Sequence, residues 1–313
     1  METIYLSELQ QLNEFKQGIA ATIGFFDGVH LGHRFLIEQL KEEARKAAIP
    51  SVVITFHIHP RKVLDTDYLP ELLTTFEEKI FQLSTTGIDY CILINFTKKL
   101  SEYSAQDFMQ KVLFEQLHLK LLLVGYDHRF GKDRKDGFDE YKQYGETIGF
   151  KVVLADPWAQ EKIHLSSTVI RKKLLQGDVK GASQLLSYNY KLNGVVVAGN
   201  KMGSELGFPT ANISLLDKGK IIPKEGVYAV RIQMDGIIFK GMSYIGYRPT
   251  LFSYGELRIE VNIFGLKGNL YGKHIVFEFI DYLRDDMKFE NVEDLIRQLK
   301  RDKNAARKLL GKM

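Results

Sequence analysis

The first half of the chain alternates short apolar runs with amphipathic stretches, and this alternation constrains the fold more than any other feature. Buried strands are predicted at 19–26, 51–56, 90–96, 119–125 and 151–155. Helices are predicted at 34–48, from Ser104 to about 117, at 138–149 and at 167–176. Apolar strands separated by helices indicate a parallel sheet that is covered on both faces. Such sheets bind ligands at the carboxyl ends of their strands.

The pattern changes after about residue 187. Antiparallel strands are predicted at 192–198, 227–234, 237–244, 257–264 and 275–280. Asp235-Gly236 predicts a two-residue hairpin turn, and Asn291 is the expected N-cap of a last helix that reaches about Leu310. We therefore expect an α/β Rossmann-like domain with a parallel sheet at 1–185. A small antiparallel β-barrel with a C-terminal helix is expected at 186–313.

Composition narrows the class of protein. A chain of 313 residues suits two compact cores, and its one cysteine, Cys91, excludes an internal disulfide and a cysteine-based metal site. A reducing cytosol, and hence a cytoplasmic location, is the expectation. The first 15 residues lack the basic start and apolar run of a signal peptide, and no run is long enough to span a membrane. The net charge of +4 suits phosphate ligands, and we expect neither a membrane nor a nucleic-acid partner.

The stretch at 24–33 carries the strongest chemical signal, and it reads G-F-F-D-G-V-H-L-G-H. It follows a predicted strand and opens a predicted helix, whose free N–H groups and dipole favour anions. Gly24 and Gly32 allow close approach of the backbone to a phosphate. His30 and His33 can direct both rings at one phosphate chain. The alternative is two surface histidines beside a turn; the position after a buried strand favours an ATP site without a P-loop.

Three later segments are expected at the same edge of the sheet. They read T-F-H-I-H-P at 55–60, G-Y-D-H-R-F-G at 125–131 and L-S-S-T-V-I-R at 165–171. Ser166 and Ser167 alone could be helix caps. His57 and His59 could be surface residues or, with the two earlier histidines, a zinc cluster, although no carboxylate shares their spacing.

Together these segments resemble the FMN adenylyltransferase module of bacterial FAD synthetases, over roughly residues 15 to 180. The H-x-G-H pattern is similar to the ATP motif of the wider nucleotidyltransferase superfamily. Ile58 and His128 depart from the module, which usually has a proline and an aromatic residue there. The resemblance implies that the FMN phosphate attacks the α-phosphorus of ATP and releases pyrophosphate, a step that needs positioning and charge neutralisation.

The same resemblance implies the roles of individual residues. His30, His33 and Arg171 are the expected catalytic residues, and Mg²⁺ would be held largely by the ATP phosphates. The expected nucleotide- and flavin-binding residues are Gly24, Phe25, Asp27, Gly32, Phe56, His57, Asp127, Ser166, Ser167 and Thr168.

A second glycine-rich stretch follows the predicted strand at 192–198, and at 203–212 it reads G-S-E-L-G-F-P-T-A-N. Such a loop can cradle phosphates, although plain turn chemistry also explains it. Thr210 and Asn212 supply oxygen ligands suited to Mg²⁺. Taken alone, Glu260 is better interpreted as an outward strand residue paired with a cross-strand cation.

Residues 186 to about 290 resemble the riboflavin kinase module. The resemblance implies that Thr210 and Asn212 position Mg-ATP and that Glu260 is the base for the ribityl hydroxyl. The expected binding residues are Gly199, Gly203, Gly207, Pro209, Thr210, Asn212 and Arg284. Several positions depart from the usual module, namely Ala198, Ser204, Tyr244, Asn262, 265–267 and Asp286.

The predicted function is therefore a transferase that phosphorylates riboflavin to FMN and adenylylates FMN to FAD, with ATP, Mg²⁺ and flavins as ligands. One alternative is a single-activity FAD synthetase with a degenerate kinase module. Another is a non-catalytic flavin-sensing or nucleic-acid-binding protein, against which the intact His30, His33 and Arg171 argue. A class I aminoacyl-tRNA synthetase is disfavoured because the K-M-G-S stretch at 201–204 lacks the final lysine of that motif.

Overall fold

The computed structural model describes residues 1–11, 13–69, 71–126, 128–132, 134–158, 165–199, 206–216, 219–248, 256–266 and 268–311. The chain divides into two compact units, Met1–Ser166 and Ser167–Met313. No helix in these described ranges is both long and apolar enough to cross a bilayer.

Among the described residues, the first unit contains a sheet of six strands. They are β1 (Glu2–Tyr5), β2 (Ile19–Ile23), β3 (Ser51–Phe56), β4 (Tyr90–Ile94), β5 (Leu119–Val124) and β6 (Lys151–Leu154). The spatial order is β1-β4-β3-β2-β5-β6, and every pairing is parallel. The predicted parallel sheet is thus confirmed. Because the order reverses at β2, the carboxyl end of β2 lies at a topological switch point, where open α/β sheets bind ligands.

Helices cover both faces of this sheet. They are α1 (Leu31–Ala47), α2 (Pro60–Leu64), α3 (Phe76–Ser84), α4 (Lys98–Ser101), α5 (Ala105–Phe108) and α6 (Phe138–Ile148), with a π-helical segment at Met109–Phe114 and 3₁₀ turns at Leu6–Gln11, Asn13–Gln17 and Asp27–Val29. Alternation along β2 explains the two layers. Ile19 and Ala21 pack into one core with Met109, whereas Ala20 packs into the other with Ile37 of α1.

Apart from the 3₁₀ turns, four described elements of this unit were not predicted, namely β1, α2, α3 and α4, and one helix differs from its prediction. The strand β1 contains only two apolar residues and lies at a half-exposed edge of the sheet. This pattern is too weak to predict a strand from the sequence. The helix α3 begins at a complete capping box between Thr75 and Glu78, a signal present in the sequence. Ser104 caps α5 as expected, but the predicted helix becomes π-helical from Met109 and ends at Phe114.

The second unit begins with two helices, α7 (Ser167–Leu175) and α8 (Val179–Leu186). The strands that follow are β7 (Lys191–Val197), β8 (Ala211–Leu215), β9 (Gly226–Met234), β10 (Ile237–Arg248), β11 (Glu256–Ile263) and β12 (His274–Arg284), and the last helix is α9 (Val292–Leu310). The strands form a closed barrel in the order β10-β11-β8-β7-β12-β9, which confirms the predicted barrel and C-terminal helix. Asp235 and Gly236, both with positive φ, form the predicted hairpin between β9 and β10.

The strand β8 was not predicted, because its sequence was interpreted as the end of a glycine-rich loop. Ala211 and Asn212 instead open a strand that pairs with β7 on one side and β11 on the other. This pairing closes the barrel and brings Asn212 opposite Glu260.

The last helix, α9, packs on the barrel through apolar contacts and one buried ion pair. Met242 and Ala306 belong to its core cluster. The guanidinium of Arg284 on β12 donates to the carboxylate of Asp302, which is 3% exposed, through Nε at 3.0 Å and Nη2 at 2.9 Å. Gln298 also donates to Asp302, at 2.8 Å. The bidentate geometry anchors α9 to the end of β12.

We expect Asp302→Asn to destabilise the packing of α9 by about 3 kcal/mol, because it leaves Arg284 largely buried without its counter-ion. Hydrogen exchange of the α9 amides measures this opening free energy. The matched control is Arg297→Gln, which removes the exposed pair with Asp294 and is expected to change stability by less than about 1 kcal/mol. Equal, small effects of both substitutions would contradict the anchoring role.

Candidate functional sites

The first candidate site lies at the carboxyl end of β2, where the chain turns into α1. Gly24 donates its N–H to the carbonyl of Ile54 at 3.0 Å and so continues the sheet by one residue. Phe26, Gly28 and Val29 then adopt positive φ values of 55°, 79° and 38°. Positive φ is costly for a β-branched residue such as Val29, so the surrounding contacts must hold this turn.

The carboxylate of Asp27 holds the turn from inside. It is buried and accepts the N–H of Leu73 at 3.0 Å, the N–H of Thr74 at 3.2 Å and the hydroxyl of Thr74 at 3.3 Å. The Thr74 hydroxyl in turn accepts the N–H of Gly28 at 3.1 Å. These contacts give Asp27 a positioning role, and its predicted contact with a ligand stays a prediction.

His30 and His33 meet at the start of α1, as the sequence predicts. Their rings stack at 3.7 Å between centroids, and Nδ1 of His30 caps the helix by accepting the N–H of His33 at 3.4 Å. Since Nδ1 of His30 accepts, its ring proton lies on Nε2. Gly32 leaves room between them, because a Cβ there would make a tight contact of 3.3 Å with the His30 ring and would lie 3.6 Å from Leu165.

The surroundings of His33 disfavour the protonated form of its ring. Burial, followed by the nearby His30 and His128 imidazoles, holds the pKa of His33 well below its ordinary value of 6.5. Its Nδ1 is buried and has no hydrogen-bond partner among the described residues. A polar atom of this kind beside a helix N-terminus suits an incoming anion, whose charge would favour protonation.

The segment after β3 lies beside this turn, since β2 and β3 are neighbours in the sheet. The Phe25 ring contacts the His59 ring edge-on at 4.5 Å, and the His57 ring contacts Phe76 at 4.2 Å. Phe56 is half-buried at the end of the strand. The zinc alternative is wrong for the described residues, in which no group of three or more histidine, cysteine, aspartate or glutamate side chains could hold a metal ion.

The remaining predicted residues of this site lie further along the chain. Asp127 lies outside the described residues, although the neighbouring Gly125 directly follows β5. Ser166 ends the first unit, and Leu165 before it lies near Gly32. Ser167, Thr168 and Arg171 lie in the first two turns of α7. Their contact with a triphosphate stays a prediction.

Sequence analysis missed Lys79, a buried residue of α3 that contacts this site. Its Nζ donates to the carbonyls of Phe25 and Phe56 at 3.3 and 2.8 Å. The signal that could have found it is the capping box of α3, which places Lys79 on the same inward helix face as Gln82 and Leu83.

The second candidate site is a cavity of about 310 Å³ in the barrel unit. It lies between strands β8, β10 and β11 and the first half of α9. This volume is at the lower end of the range for small-molecule sites. The predicted residues that line it are Thr210, Asn212, Glu260 and Arg284.

Glu260 is oriented from two sides within this cavity. The hydroxyl of Thr210 donates to its Oε2 at 2.9 Å, and Nη1 of Arg258 lies 3.2 Å from its Oε1. Arg258, Glu260 and Asn262 alternate along β11 and line the same cavity, a period-two pattern that was readable in the sequence. The ionic partner of Glu260 is therefore Arg258 on its own strand, not the cross-strand cation that was considered, and the Glu260 side chain lies in the site.

Three more predicted residues shape the chain around this cavity. A Cβ on Gly199 would lie 1.9 Å from the Asn212 side-chain amide nitrogen, so a larger residue there would displace the Asn212 side chain. Gly207 has a positive φ of 81°, and the Pro209 carbonyl accepts the Asn262 amide at 2.6 Å. Gly203 lies outside the described residues.

Three of the departures from the usual module, Tyr244, Asn262 and Asp286, also line the cavity. The Tyr244 phenol is hydrogen-bonded to Asp286, and burial, with that carboxylate, raises the pKa of Tyr244 to about 12. The Oδ1 of Asn262 is buried without a hydrogen-bond partner among the described residues. The cavity therefore keeps polar groups where the sequence departs from the usual pattern.

Comparison with protein families assigns both units. The FAD synthetase family model matches residues 12–169, and the riboflavin kinase family model matches residues 186–310. A bifunctional riboflavin kinase/FMN adenylyltransferase of Listeria monocytogenes is 35% identical over all of this chain and 99% of its own length. This chain belongs to the bifunctional riboflavin kinase/FMN adenylyltransferase family.

Other members of the family match over similar lengths. The Escherichia coli K12 relative is 34% identical over 95% of this chain and 94% of its own. The Bacillus subtilis relative is 32% identical over 98% and 97%. A solved structure described as a macrolide-efflux protein from Streptococcus pneumoniae superposes with a TM-score of 0.85 at 32% identity, covering 98% of this chain and 99% of that one.

The two family matches leave residues 170–185 unassigned, and these residues include most of α7 and α8. The compact units separate at Ser166, which groups both helices with the barrel. The domain boundary at 185/186 stays a prediction.

We expect Asp27→Asn to destabilise the first unit of this family member by about 2 to 3 kcal/mol, because an amide group would face the donors of Leu73 and Thr74. The single tryptophan, Trp158, lies in the first unit, so its fluorescence during urea unfolding reports this change. The control is Asp65→Asn, an exposed residue whose carboxylate accepts the N–H of Asp67 at 3.0 Å. If Asp27→Asn lowers the free energy of unfolding no more than the control does, the role of the Asp27 carboxylate in holding the turn is refuted.

Proposed function

We propose that this protein converts riboflavin to FMN in its barrel unit and FMN to FAD at the edge of its parallel sheet, using ATP in both steps. The protein is a transferase of flavin cofactor synthesis. The observation that supports this function most directly is the cavity in which Thr210 and Arg258 orient Glu260. The barrel is the part of the chain whose sequence departs most from its family. An oriented carboxylate there weighs against the alternative of a degenerate kinase module.

In the first site, a phosphate oxygen of FMN forms a bond to the α-phosphorus of ATP. The bond from that phosphorus to the β-phosphate bridge breaks, and pyrophosphate leaves. The stacked His30 and His33 are placed to donate to the phosphate oxygens, beside the free N–H groups of α1. We assign Ser166, Ser167, Thr168 and Arg171 to the triphosphate on the basis of their motif alone.

In the second site, the ribityl hydroxyl of riboflavin attacks the γ-phosphorus of ATP, and ADP leaves. Glu260 accepts the hydroxyl proton as its oxygen forms the new bond, in the role of a general base. Thr210 and Arg258 hold the Glu260 carboxylate in one orientation, which favours its alignment with the ribityl hydroxyl.

The donor set of the second site fits a magnesium complex of ATP as substrate. The Thr210 hydroxyl gives its hydrogen to Glu260, so its lone pairs remain for a cation. Asn212 adds an amide oxygen opposite Glu260, and hard oxygen ligands are those that Mg²⁺ prefers. Mg²⁺ would neutralise phosphate charge. The cytoplasmic location and the absence of a nucleic-acid partner stay predictions.

A product assay tests the two activities separately. The protein is incubated with ATP and Mg²⁺ and either riboflavin or FMN, and the flavins are separated by chromatography. We expect FMN and FAD from riboflavin, and FAD from FMN. FAD from FMN without any FMN from riboflavin would support the single-activity alternative, and tight flavin binding without either product would support the non-catalytic one.

We expect His30→Ala to lower FAD formation at least about 100-fold, because one phosphate donor and the cap of α1 are lost. Riboflavin phosphorylation should stay within about twofold, since it takes place in the other unit. His118→Asn, at an exposed position of the same unit, is the control and should leave both activities unchanged. Equal loss of both activities in His30→Ala would refute two independent sites.

We expect Glu260→Gln to lower FMN formation by about 10²- to 10⁴-fold while FAD formation from FMN is retained, because the amide cannot accept the hydroxyl proton. The matched control is Glu278→Gln on β12, where the carboxylate contacts Asn189. Unchanged FMN output in Glu260→Gln would show that another group is the base.

A further inference from the structure

Lys79 is a charged residue in an almost fully buried position. It lies in the middle of α3 and is 2% exposed. Its Nζ donates to three uncharged oxygens, the Phe56 carbonyl at 2.8 Å, the Phe25 carbonyl at 3.3 Å and the Thr55 hydroxyl at 3.3 Å. No described carboxylate forms an ion pair with it. A buried ammonium group without an ionic partner costs free energy, which an apolar residue of similar volume would avoid.

The three acceptors of Lys79 belong to the two segments that form the first site. Phe25 lies in the turn from β2 to His30, and Phe56 is the last residue of β3, next to the segment at 57–60. The Thr55 hydroxyl also donates to the Phe25 carbonyl, at 3.2 Å. The ammonium therefore joins the ends of two adjacent strands at one point. It also lies 4.2 Å from the centroid of the Phe25 ring, a cation–π distance.

The position of this charge suits a reaction between anions. The first site has to bring the FMN phosphate and the ATP triphosphate together, and fixed positive charge behind its wall lowers their mutual repulsion. Asp27, on the adjacent turn, is engaged by the N–H groups of Leu73 and Thr74. Cys91 on β4 is an uncharged thiol, because burial raises its pKa to about 12. Lys79 is thus the buried cation of this wall.

We propose that Lys79 is a positioning residue for adenylyl transfer, which holds the Phe25 turn and the Phe56 segment at a fixed separation and supplies positive charge behind them. The inference rests on the proposed function of the first site. It assigns Lys79 no contact with either substrate.

The test compares Lys79→Met, which keeps the length of the side chain and removes its charge, with wild type and with Lys46→Met. Lys46 is an exposed residue of α1 paired with Glu43 and serves as the control. We expect Lys79→Met to lower kcat for FAD formation at least tenfold, with KM for ATP changed less than threefold, because the phosphate donors are other residues. Riboflavin phosphorylation should be unchanged in the same preparation.

Measuring the folded fraction of Lys79→Met distinguishes a loss of activity caused by unfolding from one caused by misplaced segments in the folded protein. Trp158 fluorescence reports folding of the first unit, and the assay is run at a temperature where Lys79→Met is fully folded. A tenfold loss under that condition supports positioning, whereas FAD formation within twofold of wild type overturns it. If wild type itself forms no FAD from FMN, the proposed function fails, and this result is distinct from a failure of the Lys79 inference.

The pH profile is a second readout. Burial lowers the pKa of Lys79 to about 8, and the electrostatic influence of Asp27 partly offsets this effect. The ammonium is therefore charged below this pH and loses its proton above it, so wild-type kcat should fall above about pH 8. Lys79→Met should not show this fall, although both proteins keep Asp27, Cys91, His57 and His59 around the position. Identical alkaline profiles would contradict the role of the charge.

Discussion

The buried carboxylate of Asp27 fixes the turn on which the first site depends. It accepts the N–H groups of Leu73 and Thr74, and the Thr74 hydroxyl accepts the N–H of Gly28. This network offsets the strain of the positive φ values at Phe26 and Val29, on either side of it. With the turn held, His30 caps α1, and its imidazole stacks on that of His33 just beyond the carboxyl end of β2. The position of the site thus depends on the hydrogen bonds that hold this turn rather than on the histidines themselves.

Two buried charged residues, Asp27 and Lys79, connect the turn after β2 to neighbouring segments. Asp27 connects the β2 turn to the segment before α3, and Lys79 of α3 connects the same turn to the end of β3. The helix α3 therefore couples both segments that are expected to contact substrates. Rigid placement of this kind is what an in-line transfer between two phosphates requires, because it needs little covalent chemistry from the protein.

In the barrel unit, the residues of the second site are oriented by other elements. Glu260 is oriented by Thr210 on one oxygen and Arg258 on the other, and the strand β8 brings Asn212 opposite it. The helix α9 closes one side of the cavity and is anchored by the Arg284–Asp302 pair. Arg284 was expected to bind a ligand. Its guanidinium is instead bonded to Asp302 and to the Asp285 carbonyl, so it supports the wall of the cavity, and direct contact with a nucleotide stays a prediction.

The sequence by itself determined the two architectures, most strand positions and the pairing of His30 with His33, because these depend on local periodicity and short spacing. It did not predict β8, α3 or the roles of Lys79 and Asp302. Their contacts join residues far apart in the chain, such as Lys79 with Phe25 and Asp302 with Arg284. Only the tertiary structure decides which buried charge meets which partner, since burial and hydrogen bonding across elements are set by packing rather than by neighbouring residues.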